Sequence, residues 1–249
     1  MNFEIYVPGQ PVNEAGKAIS RMLEGYNVGA TYADMMRLRL SGKVSDQCVD
    51  TYFVAHEGGT CYSRLWHGWG KHKDAIGNFG NFITLEECRG QGIGKQMMQM
   101  WHNDILQRSD KPLGLFCTGN ERVVQLYYGY GFRAAGKGWA GGNLYLPLGD
   151  SPETFDAFCD MYYEPSEKLF ARPACIGYRH EIDCLLRFYF MEQGLIFEIN
   201  DLMKIEDALL YSPQRVQMLF TENGHCVGWQ ADETRRVHPQ YKDTKIENE

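Results

Sequence analysis

Along the chain, the spacing of apolar positions switches between a period of two and a period near 3.6, and each switch marks an element. Asn2 to Val7 reads as a strand ended by Pro8-Gly9, after which Ala15, Ala18, Ile19, Met22 and Leu23 recur on one face of a helix over 15–23. Thr51 to His56 and Thr60 to Trp66 are β-rich, and Gly58-Gly59 between them signals a hairpin. Asn78 to Leu85 reads as a further strand with Gly80 inside it, where the missing Cβ permits a bulge or the close approach of another backbone. Lys95 to Gln107 carries Met97, Met98, Trp101, Ile105 and Leu106 along one side, as a core-facing helix does. Leu113 to Cys117 is a short buried strand, Glu121 to Tyr130 a helix, and Asn143 to Leu148 a strand bounded by Gly141-Gly142 and Pro147.

Ser151 as N-cap and Pro152 at the first helical position then predict a fresh helix start. Arg179 to Gln193 is an aromatic-rich helix stopped by Gly194, followed by a strand over Leu195 to Ile199 and a helix over Leu202 to Tyr211. Arg215 to Gln230 reads as a hairpin turning at Asn223-Gly224, and the polar tail from Arg235 is expected to fray. Charge changes at the same place as the new helix start: residues 1–150 carry +1 and residues 151–249 carry −8. A domain boundary near 150 follows, giving domains 1–149 and 150–249. Phe155, Phe158, Tyr162, Phe188, Tyr189 and Phe190 are more apolar surface than a hundred-residue domain leaves in water, so part of the second domain is expected to dock on the first.

Composition narrows the function. With 44% hydrophobic and 23% charged residues the chain is an ordinary globular one. The longest apolar run, around Leu185 to Phe190, is broken by Arg187 and Glu192, far short of the roughly 18–20 residues that span a bilayer, so no membrane partner is expected. Met1-Asn2-Phe3-Glu4-Ile5 has no basic or apolar leader character, and a cytoplasmic location is expected. The eight cysteines form no CxxC pair and no zinc-type spacing with histidine, which reads as reduced, mostly buried thiols without a metal. An acidic second half disfavours nucleic acid and favours a cationic small molecule; a homo-oligomer is compatible with everything in the sequence.

The chemistry sits in Asn81 to Lys95. A strand runs into a loop with glycines at 90, 92 and 94, and a helix follows at once. Glycines let backbone N–H groups converge, and the helix start adds unpaired donors and the positive end of its dipole, which makes an anion cradle suited to a pyrophosphate. The Lys-Ser/Thr ending of a Walker loop is missing, and the loop lies a third of the way along rather than opening a βαβαβ series.

These residues resemble the GNAT superfamily of acyl-CoA-dependent N-acyltransferases, whose Gln/Arg-x-x-Gly-x-Gly/Ala signature stands here as Arg89-Gly-Gln-Gly92-Ile-Gly94. The family's second signature stands as Asn120-x-x-Val123-x-x-Leu126-Tyr127-x-x-x-Gly131-Phe132, with Val123 in place of alanine the only departure. The resemblance covers about residues 1–148. It implies an α/β (α+β) fold with a mixed, twisted sheet flanked by helices, whose strands ending near Leu85 and Cys117 splay apart, beside a smaller C-terminal α+β domain. It also implies acetyl-CoA as co-substrate, with pantetheine along the backbone of Ile83, Thr84 and Leu85, and pyrophosphate on the amides of Gln91, Gly92, Ile93, Gly94 and Lys95. Arg89 and Gly90 frame that loop or touch the ligand, Asn120 bonds the pantetheine region, and Tyr127 sits by the thioester sulfur.

The reaction needs a neutral amine, an acceptor for its proton and a donor for the departing thiolate. Tyr127 is the expected donor and Glu86 the expected base, with His67 and His72 as alternates; the Leu85 N–H is the expected oxyanion donor. Tyr128 and Tyr130 flank Tyr127, and it is the motif register that selects Tyr127. Cys88 has no part in a direct transfer. The function expected is acetyl transfer from acetyl-CoA to a primary amine in a ternary complex. The alternative is a CoA-binding sensor or interaction module without catalysis. For residues 150–249, a wall of the acceptor pocket or a degenerate second copy of the fold, without its Gly-x-Gly loop, are both open.

Overall fold

The computed structural model describes residues 1–24, 30–135, 142–192, 199–231 and 234–248. It divides into two compact units, one made of Met1–Gly68 with Asn78–Lys111, the other of Trp69–Gly77 with Pro112–Glu249. Both are α+β.

In the first unit the order is β1 (Asn2–Tyr6), α1 (Glu14–Glu24), α2 (Ala30–Leu40), β2 (Cys48–Glu57), β3 (Thr60–Gly70), β4 (Gly77–Thr84) and α3 (Ile93–Gln107). The strands neighbour one another as β1-β2-β3-β4, and β1 runs antiparallel to β2 with Asn2 opposite His56 and Tyr6 opposite Tyr52. Ala15, Ala18, Ile19 and Leu23 of α1 pack with Tyr6, Tyr52 and Val54 in one apolar core, as the period near 3.6 demanded. Helix α2 was not legible, and its inward face explains why. Arg39 is buried there, its guanidinium bonded to both Asp50 oxygens (Nε at 3.0 Å from each) and lying 4.9 Å over the ring of Trp66, whose Nε1 donates to Asp50 at 2.6 Å. A charge on the core side erases the apolar stripe that would announce a helix.

The second unit contains β5 (Gly114–Thr118), α4 (Glu121–Tyr128), β6 (Arg133–Ala134), β7 (Asn143–Pro147), α5 (Phe155–Tyr162), β8 (Lys168–Pro173), α6 (Arg179–Glu192), α7 (Ile199–Tyr211), β9 (Val216–Phe220), β10 (Cys226–Ala231), β11 (Thr234–Val237) and β12 (Lys245–Asn248). Strand β7 is antiparallel to both β5 and β6. A five-stranded mixed sheet has the order β11-β10-β9-β8-β12, with β8 and β12 parallel. Phe155 and Phe158 of α5 lie against Phe116 of β5 at 5.9 and 5.5 Å and against Tyr145 of β7 at 6.1 and 5.1 Å.

Two expectations are corrected. The helix after residue 150 starts at Phe155, not Pro152, because the Pro152 carbonyl accepts from Tyr145 Oη (3.0 Å) and Thr154 supplies the cap to Ala157 N (3.3 Å). The tail from Arg235 is not frayed: β11 pairs with β10, β12 pairs with β8, and the Arg235 side chain donates to the carbonyls of Tyr241 and Thr244. The expected features at Gly141, Gly194 and Leu195 to residue 198, and the side chains of Phe188, Tyr189 and Phe190, lie outside the described residues. No helix among the described residues is long and apolar enough to cross a membrane.

Candidate functional site

Strand β4 is irregular where the motif region begins. Asn81 adopts φ +52°, and its side chain is pinned to α2, Oδ1 accepting from Tyr32 Oη at 2.6 Å. A Cβ built on Gly80 meets nothing within 4 Å, so of the two reasons for a glycine there it is the local backbone break that fits. Past Asn81 the backbone is partly claimed by the unit itself. Ser63 Oγ donates to the Ile83 carbonyl (2.9 Å), Arg89 Nε donates to the Thr84 carbonyl (3.1 Å), and the Leu85 N–H donates to the Tyr62 carbonyl (2.9 Å). An oxyanion at Leu85 therefore has to compete with an existing bond.

Glu86 to Cys88 make a single 3₁₀ turn on which Glu86 and Glu87 are exposed and Cys88 is buried. Gln91 folds back to the Glu87 carbonyl at 3.1 Å. Gly90 and Gly92 adopt φ +76° and +80°, which an L-residue with a Cβ reaches only with strain, and the space where each Cβ would stand is open. Helix α3 begins at Ile93, two residues before the expected start, with Gly92 as an N-cap that offers no side-chain acceptor. Its first internal bond runs from Gln96 N to the Gly92 carbonyl (3.1 Å), so the N–H groups of Ile93, Gly94 and Lys95 have no carbonyl within the helix. Gly94 has a different reason to be glycine: its Cβ would stand 3.3 Å from the ring of Phe82. The first unit thus brings Ile83 through Lys95 into one turn, and the Arg89 and Lys95 side chains are exposed on it.

Asn120 and Tyr127 belong to the second unit. Asn120 caps α4, its Oδ1 accepting from Arg122 N at 3.0 Å, which leaves its NH2 group as the part able to meet a ligand. Tyr127 is buried and packs on Phe132 with ring centroids 5.6 Å apart; Tyr128 and Tyr130 are only partly buried. Burial, with the neighbouring Cys117 as a lesser cause, pushes the Tyr127 phenol well above its ordinary value, so it holds its proton at any physiological pH. Gly131 of the same motif has φ +94°, and Phe132 N turns back to bond the Tyr127 carbonyl at 3.3 Å.

The two histidines of the segment Trp66 to His72 separate. His67 is fully buried in the first unit, where its Nδ1 accepts from Trp101 Nε1 (3.1 Å) and its ring stands edge-on to Phe53 (5.5 Å). Burial above all, and then the charge of Arg108, hold it neutral, so it serves packing. His72 lies in the second unit with Nε2 at 2.9 Å from Oε1 of Glu181, an oxygen that also accepts from Ile76 N at 2.9 Å. Burial pulls His72 down, but the Glu181 charge and hydrogen bond, helped by Asp74, outweigh it and raise its pKa. Glu181 was missed from the sequence, although His180, Glu181 and Asp183, all buried, stand as an unusual run of ionisable residues at the head of an apolar helix.

With strands, helices and loop placed, comparison defines the class. Residues 49–134 match the family model described as the acetyltransferase (GNAT) domain. The chain carries a GNAT acetyltransferase domain. An acyl-CoA N-acyltransferase from Pseudomonas aeruginosa is 14% identical, with a TM-score of 0.44 over 59% of this chain and 99% of that one. Escherichia coli ElaA is 12% identical, with a TM-score of 0.43 over 59% and 99%. A putative N-acetyltransferase from Lactobacillus plantarum is 19% identical, with a TM-score of 0.37 over 59% and 98%. No curated protein matches the chain.

Proposed function

We propose that this chain transfers the acetyl group of acetyl-CoA directly to the primary amine of a small cationic molecule. The observation that carries the reading is the glycine turn: two left-handed glycines with open space above them lead into a helix whose first three N–H groups have no internal partner and no side-chain cap. That is the donor set a pyrophosphate requires, and Cβ atoms at 90 and 92 would fill the cradle. In this reading the amides of Gln91 to Lys95 hold the phosphates, Arg89 and Gly90 frame them, Ile83 to Leu85 line the pantetheine arm, and the Asn120 NH2 group donates to that arm.

Tyr127 gives a hydrogen bond to the departing thiolate. Its raised pKa favours donation over full loss of the proton, because a buried phenolate is costly. Glu86, exposed at the end of β4, takes the proton of the amine, directly or through water. The surplus of acidic residues in 151–249 draws a cation toward the protein.

The test is amine-dependent release of free thiol from acetyl-CoA by the full-length protein. The whole chain is needed, since a chain ending near 150 would strip Phe155 and Phe158 from Phe116 and Tyr145. Turnover with polyamines that weakens as salt rises supports the reading. Tight CoA binding without turnover on a broad amine panel would replace it with a non-catalytic CoA-binding module.

A further inference from the structure

Strands β10 and β11 form one edge of the five-stranded sheet, with Trp229 opposite Arg236 and Ala231 opposite Thr234. Residues two apart on a strand share a face, so these four side chains stand together. Above them, Lys204 and Ala208, one turn apart on α7, close a cavity of about 280 Å³. That is close to the lower end of small-molecule pockets, roughly 300–1,000 Å³. Its buried wall is apolar, with Trp229 and Ile205 at 5% exposure each, while Lys204 and Arg236 are exposed at its rim.

The charge at this rim runs against its surroundings. Residues 151–249 contain 10 basic and 18 acidic side chains, yet both charged residues lining the cavity are cations. Arg235, on the other face of β11, is spent on the carbonyls of Tyr241 and Thr244; Arg236 is instead placed where a helix-packed strand ordinarily shows an apolar residue. Guanidinium and ammonium groups only donate, so the rim selects an acceptor with negative charge, and the indole wall selects an apolar body behind it. A bare hydrated anion gains nothing from that wall, and a cation meets like charge.

We infer that the cavity between α7 and the β10–β11 edge is a second ligand site, for a small carboxylate with an apolar tail, held carboxylate outward by Arg236 and Lys204 with the tail against Trp229. The site is independent of the glycine turn and of the acyl-transfer reading.

Octanoate is the probe. Full-length protein is titrated with octanoate in excess CoA, by calorimetry and by tryptophan emission, beside octylammonium and inorganic phosphate. Saturable octanoate binding is expected, with an emission change lost in Trp229→Phe and neither control ligand bound. Arg236→Gln, at an exposed position, is expected to weaken octanoate about tenfold, and Ala208→Phe, which fills the cavity, to abolish binding in a protein that still melts cooperatively. Absence of saturable octanoate binding, equal affinity for octylammonium, or unchanged affinity in Arg236→Gln overturns the inference. Arg236→Gln decides the matter should Ala208→Phe fail to fold, and the readout stands whether or not CoA binds.

Discussion

The turn at Gly90 to Lys95 and the pairing of His72 with Glu181 flank β4 in sequence and are made in opposite ways. The turn is built from backbone: glycines with positive φ, a helix start without a cap, and N–H groups left for something outside the unit. The pairing is built from side chains that use one another up, a single Glu181 oxygen serving both the His72 ring and the Ile76 amide at 2.9 Å. Unspent polar groups are what a binding site offers, whereas spent ones fix a segment in place. The contrast assigns acyl-CoA to the first and stability to the second.

The strongest way to break that contrast is to remove Glu181. Glu181→Ala strands the Ile76 donor and the imidazole together, and unfolding free energy measured in urea is expected to fall by roughly 3 kcal/mol. Glu181→Gln keeps an acceptor and should lose much less. A fall no larger than that of an exposed carboxylate, about 0.5 kcal/mol or less, would mean that the pair contributes nothing to holding residues 69–77.

On the catalytic side, Tyr127→Phe keeps the ring against Phe132 and deletes only the donor. The expected result is a drop in kcat of roughly 100-fold, about 2.7 kcal/mol, with KM for acetyl-CoA little changed. The same loss from Tyr128→Phe with none from Tyr127→Phe would shift the assignment by one residue.

Gly92→Val is expected to raise the CoA Kd at least tenfold, about 1.4 kcal/mol. Its positive φ adds a folding cost of roughly 1–2 kcal/mol, so binding is read on protein shown to be folded. Calorimetry finding unchanged affinity in folded Gly92→Val would remove the cradle.

How much of this the sequence disclosed follows from how each region is made. The glycine turn, the strand before it, the helix after it and the Asn120 to Phe132 motif were readable because short-range spacing encodes backbone conformation. The hairpin turning at Asn223-Gly224 was readable for the same reason, Gly224 having φ +87°. Helix α2, β11, β12 and the partner of His72 were not. Arg39 on an inward face hides the stripe of α2, and β12 is identified only by its parallel mate β8, 77 residues earlier at the Lys245 and Lys168 pair. His67 and His72 look alike in sequence, and their environments are set by Trp101 and Glu181, 34 and 109 residues away. A base for the amine is the least legible part, since Glu86 is exposed and nothing in its own neighbourhood distinguishes it from a solvated carboxylate.

The smallest effect is a pH signature in which the histidines act with opposite signs. His67 is held neutral by burial and by Arg108, and burial pulls His238 down to about 4. For both, the unfolded chain takes up a proton near pH 6.5 that the folded chain refuses, so stability present above about 6.5 is lost as pH falls. For His238 that loss runs from about 6.5 down to about 4. His72 is raised despite its burial because Glu181 and Asp74 favour its charged form, so its contribution is full below about 6.5 and is lost as pH rises through the raised value. Each histidine contributes a slope of at most about 1.4 kcal/mol per pH unit. Unfolding free energies in urea from about pH 5 to pH 8 should therefore show an acid limb that His238→Phe flattens while keeping the stack on Tyr163, and an alkaline limb that His72→Gln flattens. An alkaline limb that persists in His72→Gln would show that the Glu181 pair is not what holds this imidazole charged.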